Sequence, residues 1–179
     1  PSKSKCLQKF SSKFLKQSTL QIRNLKSMSH FENYQHVSRF YDNTRTAVGV
    51  DIIRNQLQNG ELPINKQLLV DAGCGTGLYS AALVTNVRKI EAIDLNAGML
   101  KIAKEKMKLE GKNGLINFHI SSIDSLPLDN DTADAVMINQ VLHHLPDNLT
   151  RGWTHHEKVF REFWRVLKSG GMLIINSCS

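Results

Sequence analysis

Glycines spaced at alternate positions give the first indication of chemistry in this chain. A short apolar run ends at Asp71, and Gly73, Gly75 and Gly77 follow before a second stretch that favours a helix. Glycines let a backbone approach a ligand closely and adopt positive φ angles, and a helix N-terminus presents unpaired N–H groups. The stretch from Gln67 to Ser80 therefore predicts a strand, a turn and a helix start that bind a nucleotide-like ligand.

Two better-known glycine loops do not fit this stretch. The dinucleotide fingerprint needs a third glycine where Leu78 stands, and the phosphate loop needs a Gly-Lys pair, although no lysine lies between Lys66 and Lys89. The remaining pattern, Asp-x-Gly-x-Gly-x-Gly, resembles the first motif of class I S-adenosyl-L-methionine (AdoMet)-dependent methyltransferases. That resemblance implies cofactor contacts at the following residues: Asp71, Ala72, Gly73, Gly75 and Gly77.

A second acid follows twenty-one positions after Gly73, at the end of the apolar segment Lys89–Asp94. A carboxylate at the end of a second strand can accept hydrogen bonds from both ribose hydroxyls. We therefore expect Asp94 to bind ribose, and the alternative is that it caps the helix beginning at Ala97. The resemblance also implies cofactor contacts at Leu95 and Met99.

The segment after the third predicted strand resembles the acidic, Leu-Pro-containing loop that contacts adenine in the same family. It runs from Ser121 to Asp134. Where the family usually has Asp, this chain has Ser122, whose hydroxyl accepts a hydrogen bond from the adenine amino group more weakly. The backbone N–H of Ile123 can serve adenine whatever its side chain.

The segment Asn139–Asp147 contains adjacent histidines and resembles the "HHL" segment of the ubiquinone/menaquinone-biosynthesis-type, or type-11, methyltransferases. Residues 165–171 resemble the "RVLKPGG" motif of that family. The resemblance implies that Asn139 contacts the cofactor. His143 and His144 are candidate general bases, because imidazole titrates near neutrality; alternatively they only shape the loop.

A metal site is the less favoured reading of these histidines. His155 and His156 would have to complete it, but adjacent histidines rarely bind one metal and no cysteine or carboxylate stands at ligand spacing. We expect no metal.

Alternating strand and helix patterns predict an α/β fold with a doubly wound, mainly parallel, Rossmann-like sheet and helices on both faces. The resemblance implies the strand order 3-2-1-4-5. Ligands of such sheets bind at the carboxyl ends of the strands, where the strand order reverses. The predicted strands are Leu68–Val70, Lys89–Asp94, Ile116–Ile120, Ala133–Ile138 and Met172–Ile175.

The predicted helices have apolar faces and recognisable ends. The first, capped by Asp42 or Thr44, presents Ala47, Val50, Ile53 and Leu57. The second spans Ala97–Leu109, with Met99, Ala103 and Met107 on one face. The third carries Val159 to Leu167 and is closed by Ser169-Gly170-Gly171.

The chain has 179 residues and a net charge of +7, and its charge is unevenly distributed. Residues 1–31 carry seven basic and no acidic residues, whereas residues 32–179 carry sixteen of each. We predict a basic leader (1–31), either a transit peptide, a disordered tail or a membrane-surface anchor, and a methyltransferase domain (32–179). The neutral domain gives no reason to expect nucleic-acid binding.

Cysteine usage and hydropathy indicate which cellular compartment suits this chain. The three cysteines are scattered, which favours a reducing, intracellular location, cytoplasmic or mitochondrial. No apolar run approaches the ~18 residues that a membrane span needs.

The resemblance implies two further strands beyond the fifth, so we expect a truncated domain with an exposed fifth strand and possible self-association through that edge. The function that best fits is an AdoMet-dependent methyltransferase acting on a small-molecule acceptor. The alternatives are a catalytically impaired AdoMet-binding or interaction protein, an RNA or protein methyltransferase that uses the basic leader, and, outside this group, an NAD-dependent enzyme.

Overall fold

The computed structural model describes residues 46–146 and 152–177, and within them helices and strands alternate. The predicted cap residues Asp42 and Thr44 lie outside these ranges. In chain order the elements are α1 (Val50–Gln58), β1 (Leu68–Ala72), α2 (Leu78–Leu83), β2 (Lys89–Asp94), α3 (Ala97–Leu109), β3 (Ile116–Ile120), β4 (Ala133–Asn139), α4 (Thr154–Val166) and β5 (Leu167–Asn176).

The sheet has the order β3-β2-β1-β4-β5, and each neighbouring pair is parallel. Both the α/β class and the strand order 3-2-1-4-5 are therefore confirmed. The order reverses between β1 and β4, which places the carboxyl ends of these two strands at the switch point where ligands of such sheets bind.

The side chains along each strand alternate between the two faces of the sheet and contribute to two hydrophobic clusters. Leu69, Ile90 and Met137 belong to the cluster with residues of α1, α2 and α3, whereas Val70 and Ile138 belong to the cluster with α4. Because successive strand side chains point to opposite faces, the helices cover both faces of the sheet, as predicted.

Helix α3 matches its predicted bounds, and Met99, Ala103 and Met107 are all buried. Its N-cap is Asn96, whose side-chain Oδ1 accepts hydrogen bonds from the backbone N–H groups of Gly98 (2.9 Å) and Met99 (3.2 Å). Asn is among the best N-cap residues for this reason. Asp94 is therefore not the cap of this helix.

The connection from α4 to β5 differs from the prediction. The helix ends at Val166, and the extended chain starts at once with Leu167, which pairs with Ala133 before the register shifts. The predicted helix stop at residues 169–171 instead forms an irregular part of β5, where Gly170 has φ 79°. Lys168 fixes this segment through a 2.7 Å ion pair with Asp134.

Helix α1 keeps the predicted apolar face in part. Ile53 and Leu57 are buried, whereas Ala47 precedes the helix, whose N-cap is Gly49 at φ 75°. None of the helices in the described ranges is both long and apolar enough to cross a membrane.

Candidate cofactor and acceptor site

The glycine turn between β1 and α2 has the conformation that its sequence requires. Gly73 and Gly75 have φ angles of 76° and 55°, a region that side-chain-bearing residues rarely adopt. A Cβ on Gly73 would lie 2.6 Å from Cγ2 of Val141, whereas a Cβ on Gly75 would meet no atom of the described residues within 4 Å. The turn is thus packed tightly at Gly73 and open at Gly75.

Asp94 faces this open position. Its Oδ2 accepts a 2.8 Å hydrogen bond from the N–H of Gly75, and its Oδ1 accepts one of 2.8 Å from the N–H of Asn96. Each carboxylate oxygen can accept a further hydrogen bond, since it has two lone pairs. Asp94 and the glycine turn are therefore brought together, with the carboxylate fixed from both sides.

Asp71 lies within β1 and is only 1% exposed. Its Oδ2 accepts a 2.6 Å hydrogen bond from the hydroxyl of Ser80. Burial raises the pKa of Asp71 to about 7, the Ser80 hydrogen bond opposes that shift, and the negative charge of Asp94 adds to it. Asp71 and the neighbouring Ala72 (also buried) thus lie beneath the turn rather than on its surface.

Burial also raises the pKa of the Cys74 thiol, with the negative charge of Asp71 as a further cause. A protonated thiol is a weak nucleophile. Cys74 therefore acts as a small buried side chain between the glycines of the turn.

Apolar side chains are exposed beside Asp94. Leu95 is 60% exposed and Ile120, at the end of β3, is 62% exposed. Asp94 and Ile120 are register partners in the β2–β3 pair, so both apolar groups lie close to the carboxylate. Ile120 is not among the residues that we predicted from the sequence, although a residue that ends a strand at the ligand edge is a natural candidate.

Ser122 and Ile123 follow β3 in the loop predicted to contact adenine, and both are half-buried. The loop has no helix of its own but turns on itself, since Ser125 donates its N–H to the Ser122 carbonyl (3.1 Å). Met99, by contrast, is buried within α3 and its N–H is occupied by Asn96.

Two residues of α4 hold the far end of this loop. Glu162 Oε1 accepts the N–H of Leu126 at 2.7 Å, and Arg165 donates to the carbonyls of Leu126 (3.1 Å) and Leu128 (2.8 Å). The two side chains are joined by hydrogen bonds of 2.6 and 2.9 Å. That pairing, chiefly the hydrogen bond from Arg165, lowers the pKa of Glu162. Arg165 belongs to the motif at residues 165–171, but the sequence pattern does not indicate that this residue anchors the loop.

Asn139 ends β4 at the switch point. It is 7% exposed, and within the part of the chain that the structure describes neither atom of its side-chain amide has a hydrogen-bond partner. The next residue, Gln140, has φ 56°, an unusual value for a non-glycine residue. Buried polar groups are nearly always paired, so this amide can take a partner that the described residues do not supply.

His143 and His144 lie in the same loop, in a short 3₁₀ turn spanning Leu142–His144. Both are exposed, and their ring centroids are 3.9 Å apart. Within the described residues, no group of three or more His, Cys, Asp or Glu side chains is arranged to hold a metal ion.

These features fit a nucleoside cofactor whose other end is polar. The open space at Gly75, the oriented Asp94 carboxylate and the unpartnered Asn139 amide lie at neighbouring strand ends, in the order β2, β1, β4. AdoMet has the matching chemistry: an adenine, a ribose diol and a polar amino-acid end. Asp94, the glycine turn and Leu95 are the groups that would hold it.

Comparison with known proteins agrees with this chemistry. Residues 70–175 match the type-11 family described as "Methyltransferase domain". The chain is 30% identical over 145 residues to the demethylmenaquinone methyltransferase of Clavibacter sepedonicus, covering 79% of this chain and 55% of that protein. It is also 30% identical over 112 residues to the ubiquinone/menaquinone biosynthesis C-methyltransferase UbiE of Haemophilus ducreyi, covering 61% and 40%.

Solved structures share the fold. A SAM-dependent methyltransferase from Aquifex aeolicus superposes with a TM-score of 0.60 at 20% identity, covering 79% of this chain and 71% of that one. Geranyl diphosphate C-methyltransferase from Streptomyces coelicolor, solved with Mg²⁺, geranyl diphosphate and S-adenosyl-L-homocysteine, gives 0.57 at 18% identity, with coverages of 70% and 44%.

The chain spans about half the length of the curated relatives it matches. The matched segment nevertheless extends from β1 to β5 and includes the glycine turn, Asp94 and the histidine loop. The family match covers more than half of the chain. The chain therefore belongs to the type-11 methyltransferase domain family, within the class I S-adenosylmethionine-dependent methyltransferases.

Proposed function

We propose that this domain binds AdoMet at the carboxyl ends of β1, β2 and β4 and directs its methyl group to a small-molecule acceptor. The observation that carries the proposal is the Asp94 carboxylate, held by the N–H of Gly75 at 2.8 Å beside an open backbone position. AdoMet supplies a methyl group on a sulfonium, which a nucleophile removes by in-line displacement.

Each part of the site has a task in this proposal. Asp94 accepts hydrogen bonds from the ribose hydroxyls, and the exposed apolar groups of Leu95 and Ile120 contact the adenine ring. The N–H of Ile123 is a donor for the adenine edge. Holding donor and acceptor in reacting geometry can supply up to ~7–11 kcal/mol of barrier reduction, so the protein needs few further catalytic groups.

The histidines are our candidates for accepting the proton that the acceptor loses. His143 and His144 lie on the loop that follows β4, next to the switch point. Imidazole is the side chain whose charge changes most readily near neutral pH. We expect His143→Ala or His144→Ala to lower kcat by about 10²-fold or more if that ring is the base. Unchanged rates in both variants would leave the histidines as loop residues only.

A small-molecule acceptor suits this chain better than a nucleic acid. Residues 32–179 carry equal numbers of acidic and basic residues, whereas nucleic-acid binding depends on a basic surface. The relatives named above include a demethylmenaquinone methyltransferase and a geranyl diphosphate C-methyltransferase, both with small-molecule acceptors in their names.

Titration calorimetry with AdoMet tests the binding half of the proposal. We expect saturable binding by the wild type and much weaker binding by Asp94→Ala, with Glu105→Gln, an exposed substitution on α3, as the matched control. Transfer of a labelled methyl group from AdoMet to a pool of extracted small molecules tests the second half. Absence of AdoMet binding by the wild type would refute the proposal.

Two further expectations concern the whole chain. β5 forms an edge of the described sheet, and we propose that this edge pairs with a second copy. Light scattering tests this, and a stable monomer at all concentrations would contradict it.

We also propose that residues 1–31 are a leader that precedes the domain and directs the chain to mitochondria. A reporter that is fused to these residues and found only in the cytoplasm would contradict that role.

A further inference from the structure

We propose that the free edge of β3 binds an extended acidic segment of another protein, which adds to the sheet as a further strand. The surface consists of β3 and the exposed lysines of α3 beside it, and we call it the β3 edge. This inference goes beyond the proposed methyltransferase function and does not depend on it, since neither the surface nor its test involves AdoMet.

The first support is the position of β3 as an outer strand. Within the described part of the chain it pairs only with β2. Ser121, the residue after β3, donates its N–H to the Asp94 carbonyl of β2 at 3.2 Å. Backbone groups alternate in direction along a strand, so those of Asn117 and His119 also point to β2, whereas those of Phe118 point away from it. An outer strand of this kind presents N–H and C=O groups with which another extended chain can pair.

The second support is a groove that runs along this edge. Its volume is about 430 Å³, and the residues that line it are Lys104, Ile116, Asn117, Phe118 and His119. Ile116 and Phe118 belong to the hydrophobic cluster on the α3 side of the sheet. Asn117 and His119 lie on the opposite face, as expected from the alternation of side chains along a strand. Since side chains of both faces line the groove, it follows the strand, as the binding of an extended chain requires.

The helix beside the edge indicates the charge of the partner. Nζ of Lys104 lies 5.9 Å from the centroid of the Phe118 ring, so this side of α3 borders β3. Lys101 and Lys108 lie three positions before and four after it, on the same stripe of the helix, and all of these lysines are exposed. Glu105 is the only acid of α3. Because alternate residues of a strand share one face, this stripe favours a partner that is acidic at alternate positions.

The acid on the opposite face of the sheet does not repel such a partner. Glu91 of β2 is largely buried, and its Oε1 accepts a 3.0 Å hydrogen bond from Nδ2 of Asn117. Its Oε2 lies 2.6 Å from Nε2 of His119, and Nζ of Lys89 lies 3.7 Å from Oε1. The carboxylate is therefore surrounded by donors of its own fold, and its negative charge does not face the free edge of β3.

Charge complementarity also distinguishes another protein from the segments of this chain. β5 (Leu167–Asn176) forms the other edge of the described sheet and contains no acid, and residues 1–31 carry seven basic and no acidic residues. β3 itself contains no acid, so pairing with the β3 of a second copy would bring two basic stripes together. Like charges across an interface oppose association. An acidic segment of another protein therefore fits the β3 edge better than a second copy or the leader does.

The test uses the full chain and the peptide Thr-Glu-Val-Glu-Val-Glu-Thr with both ends blocked, which has its acids on one face when extended. One matched peptide has lysine in place of each glutamate. A second keeps the charges but is N-methylated at its central glutamate and at both valines, which removes backbone donors that an added strand needs. We expect calorimetry to show at least about tenfold weaker binding of each matched peptide than of the acidic one.

Amide hydrogen exchange locates the bound peptide. The N–H of Phe118 points away from β2, so it gains an acceptor only when a strand is added at this edge. We expect the acidic peptide to slow exchange at Phe118 by at least about tenfold. Exchange at Asn117, whose N–H already points to β2, should change less.

The double variant Lys104→Glu/Lys108→Glu reverses the charge beside the edge. It should weaken binding of the acidic peptide by about tenfold and strengthen binding of the lysine peptide. Lys66→Glu/Lys158→Glu is the matched control, because it changes the net charge equally at exposed positions before β1 and on α4. It should bind the acidic peptide within about twofold of the wild type. Urea denaturation checks that both variants are folded.

Several results would overturn the proposal. Equal binding of the N-methylated peptide would show that the lysines attract any polyanion without strand addition. An equal effect of the two double variants would remove the role of the α3 lysines. Unchanged exchange at Phe118 in the presence of saturating acidic peptide would place the peptide elsewhere, and a wild type that binds none of the peptides would leave the β3 edge without the proposed partner class.

Discussion

The backbone N–H of Gly75 donates a 2.8 Å hydrogen bond to Oδ2 of Asp94. This bond connects the turn after β1 with the end of β2, two segments nineteen positions apart along the chain. The other carboxylate oxygen is fixed by the N–H of Asn96. The carboxylate is thus oriented before a ligand arrives, which reduces the entropy lost on binding.

Asp94 should therefore govern cofactor affinity. Asp94→Ala removes the ribose acceptor and leaves the Gly75 N–H without its partner, and Asp94→Asn keeps the shape but removes the charge. Hydrogen bonds to charged groups contribute about 1.5–3 kcal/mol each, so we expect AdoMet affinity to fall by about 10- to 100-fold. Calorimetry measures this, with Glu105→Gln as the control; affinities of Asp94→Ala and Asp94→Asn equal to that of the wild type would contradict the ribose role.

The glycine turn offers a paired test of packing and ligand approach. Gly73→Ala places a Cβ 2.6 Å from Val141 at positive φ, so it should lower the free energy of unfolding by about 2–4 kcal/mol. The Cβ of Gly75→Ala meets no atom of residues 46–146 and 152–177, so the substitution should cost only about 1–2 kcal/mol through its φ. Urea denaturation compares the two variants.

The order of these two glycine variants in AdoMet affinity should differ from their order in stability. The Cβ of Gly75→Ala points into space that a cofactor would occupy, so AdoMet affinity should fall by more than its small stability loss suggests. Calorimetry at a temperature where both variants are folded checks this. Normal AdoMet affinity in Gly75→Ala would show that the ligand does not approach that position.

Much of the fold followed from local patterns. Strands alternating with helices predicted the sheet, and α3 begins and ends where it was predicted, because its apolar spacing and its glycine stop agree. The glycine motif and the acid at Asp94 also came together as expected, since both lie at strand ends and parallel strands bring their carboxyl ends to one edge.

Other features depend on contacts that the sequence pattern does not contain. The Ser169–Gly171 segment resembled a helix stop, but pairing of Leu167 with β4 extends the chain directly after Val166. The anchoring by Glu162 of the loop that follows β3 joins residues thirty-six positions apart. The sequence cannot show that the Asn139 amide is buried without a partner among the described residues, because this depends on which residues surround the side chain in the fold.

The Glu162–Arg165 pair should position the loop after β3, which we predict to contact adenine. Glu162→Gln keeps one acceptor for the N–H of Leu126 but weakens the hydrogen bonds from Arg165. We expect the KM for AdoMet to rise by about three- to tenfold with little change in kcat, because charged hydrogen bonds to the loop are lost while the reacting end is untouched. Glu157→Gln, in the first turn of the same helix and exposed, is the control. An equal fall of kcat and kcat/KM would contradict this role.

Asp71 should give the stability of the domain a distinctive pH dependence. Burial raises its pKa from 3.8 to about 7 in the folded protein, so the folded state binds this proton more tightly than the unfolded state does. Between these two values the folded state holds more protons, and stability therefore falls as the pH rises. The loss attributable to Asp71 approaches about 4 kcal/mol by pH 7 and then levels off.

Asp71→Asn removes this titration while keeping the size of the side chain and an oxygen that can accept from Ser80. Urea denaturation at pH 4.5, 6 and 8 should show the variant gaining on the wild type as the pH rises, with most of the change below pH 7. Asp51→Asn, an exposed substitution in the first turn of α1, is the control and should follow the wild type. If the curves of wild type and Asp71→Asn run parallel across this range, Asp71 is ionised in the folded protein throughout, and the effect of its burial is offset by groups around it.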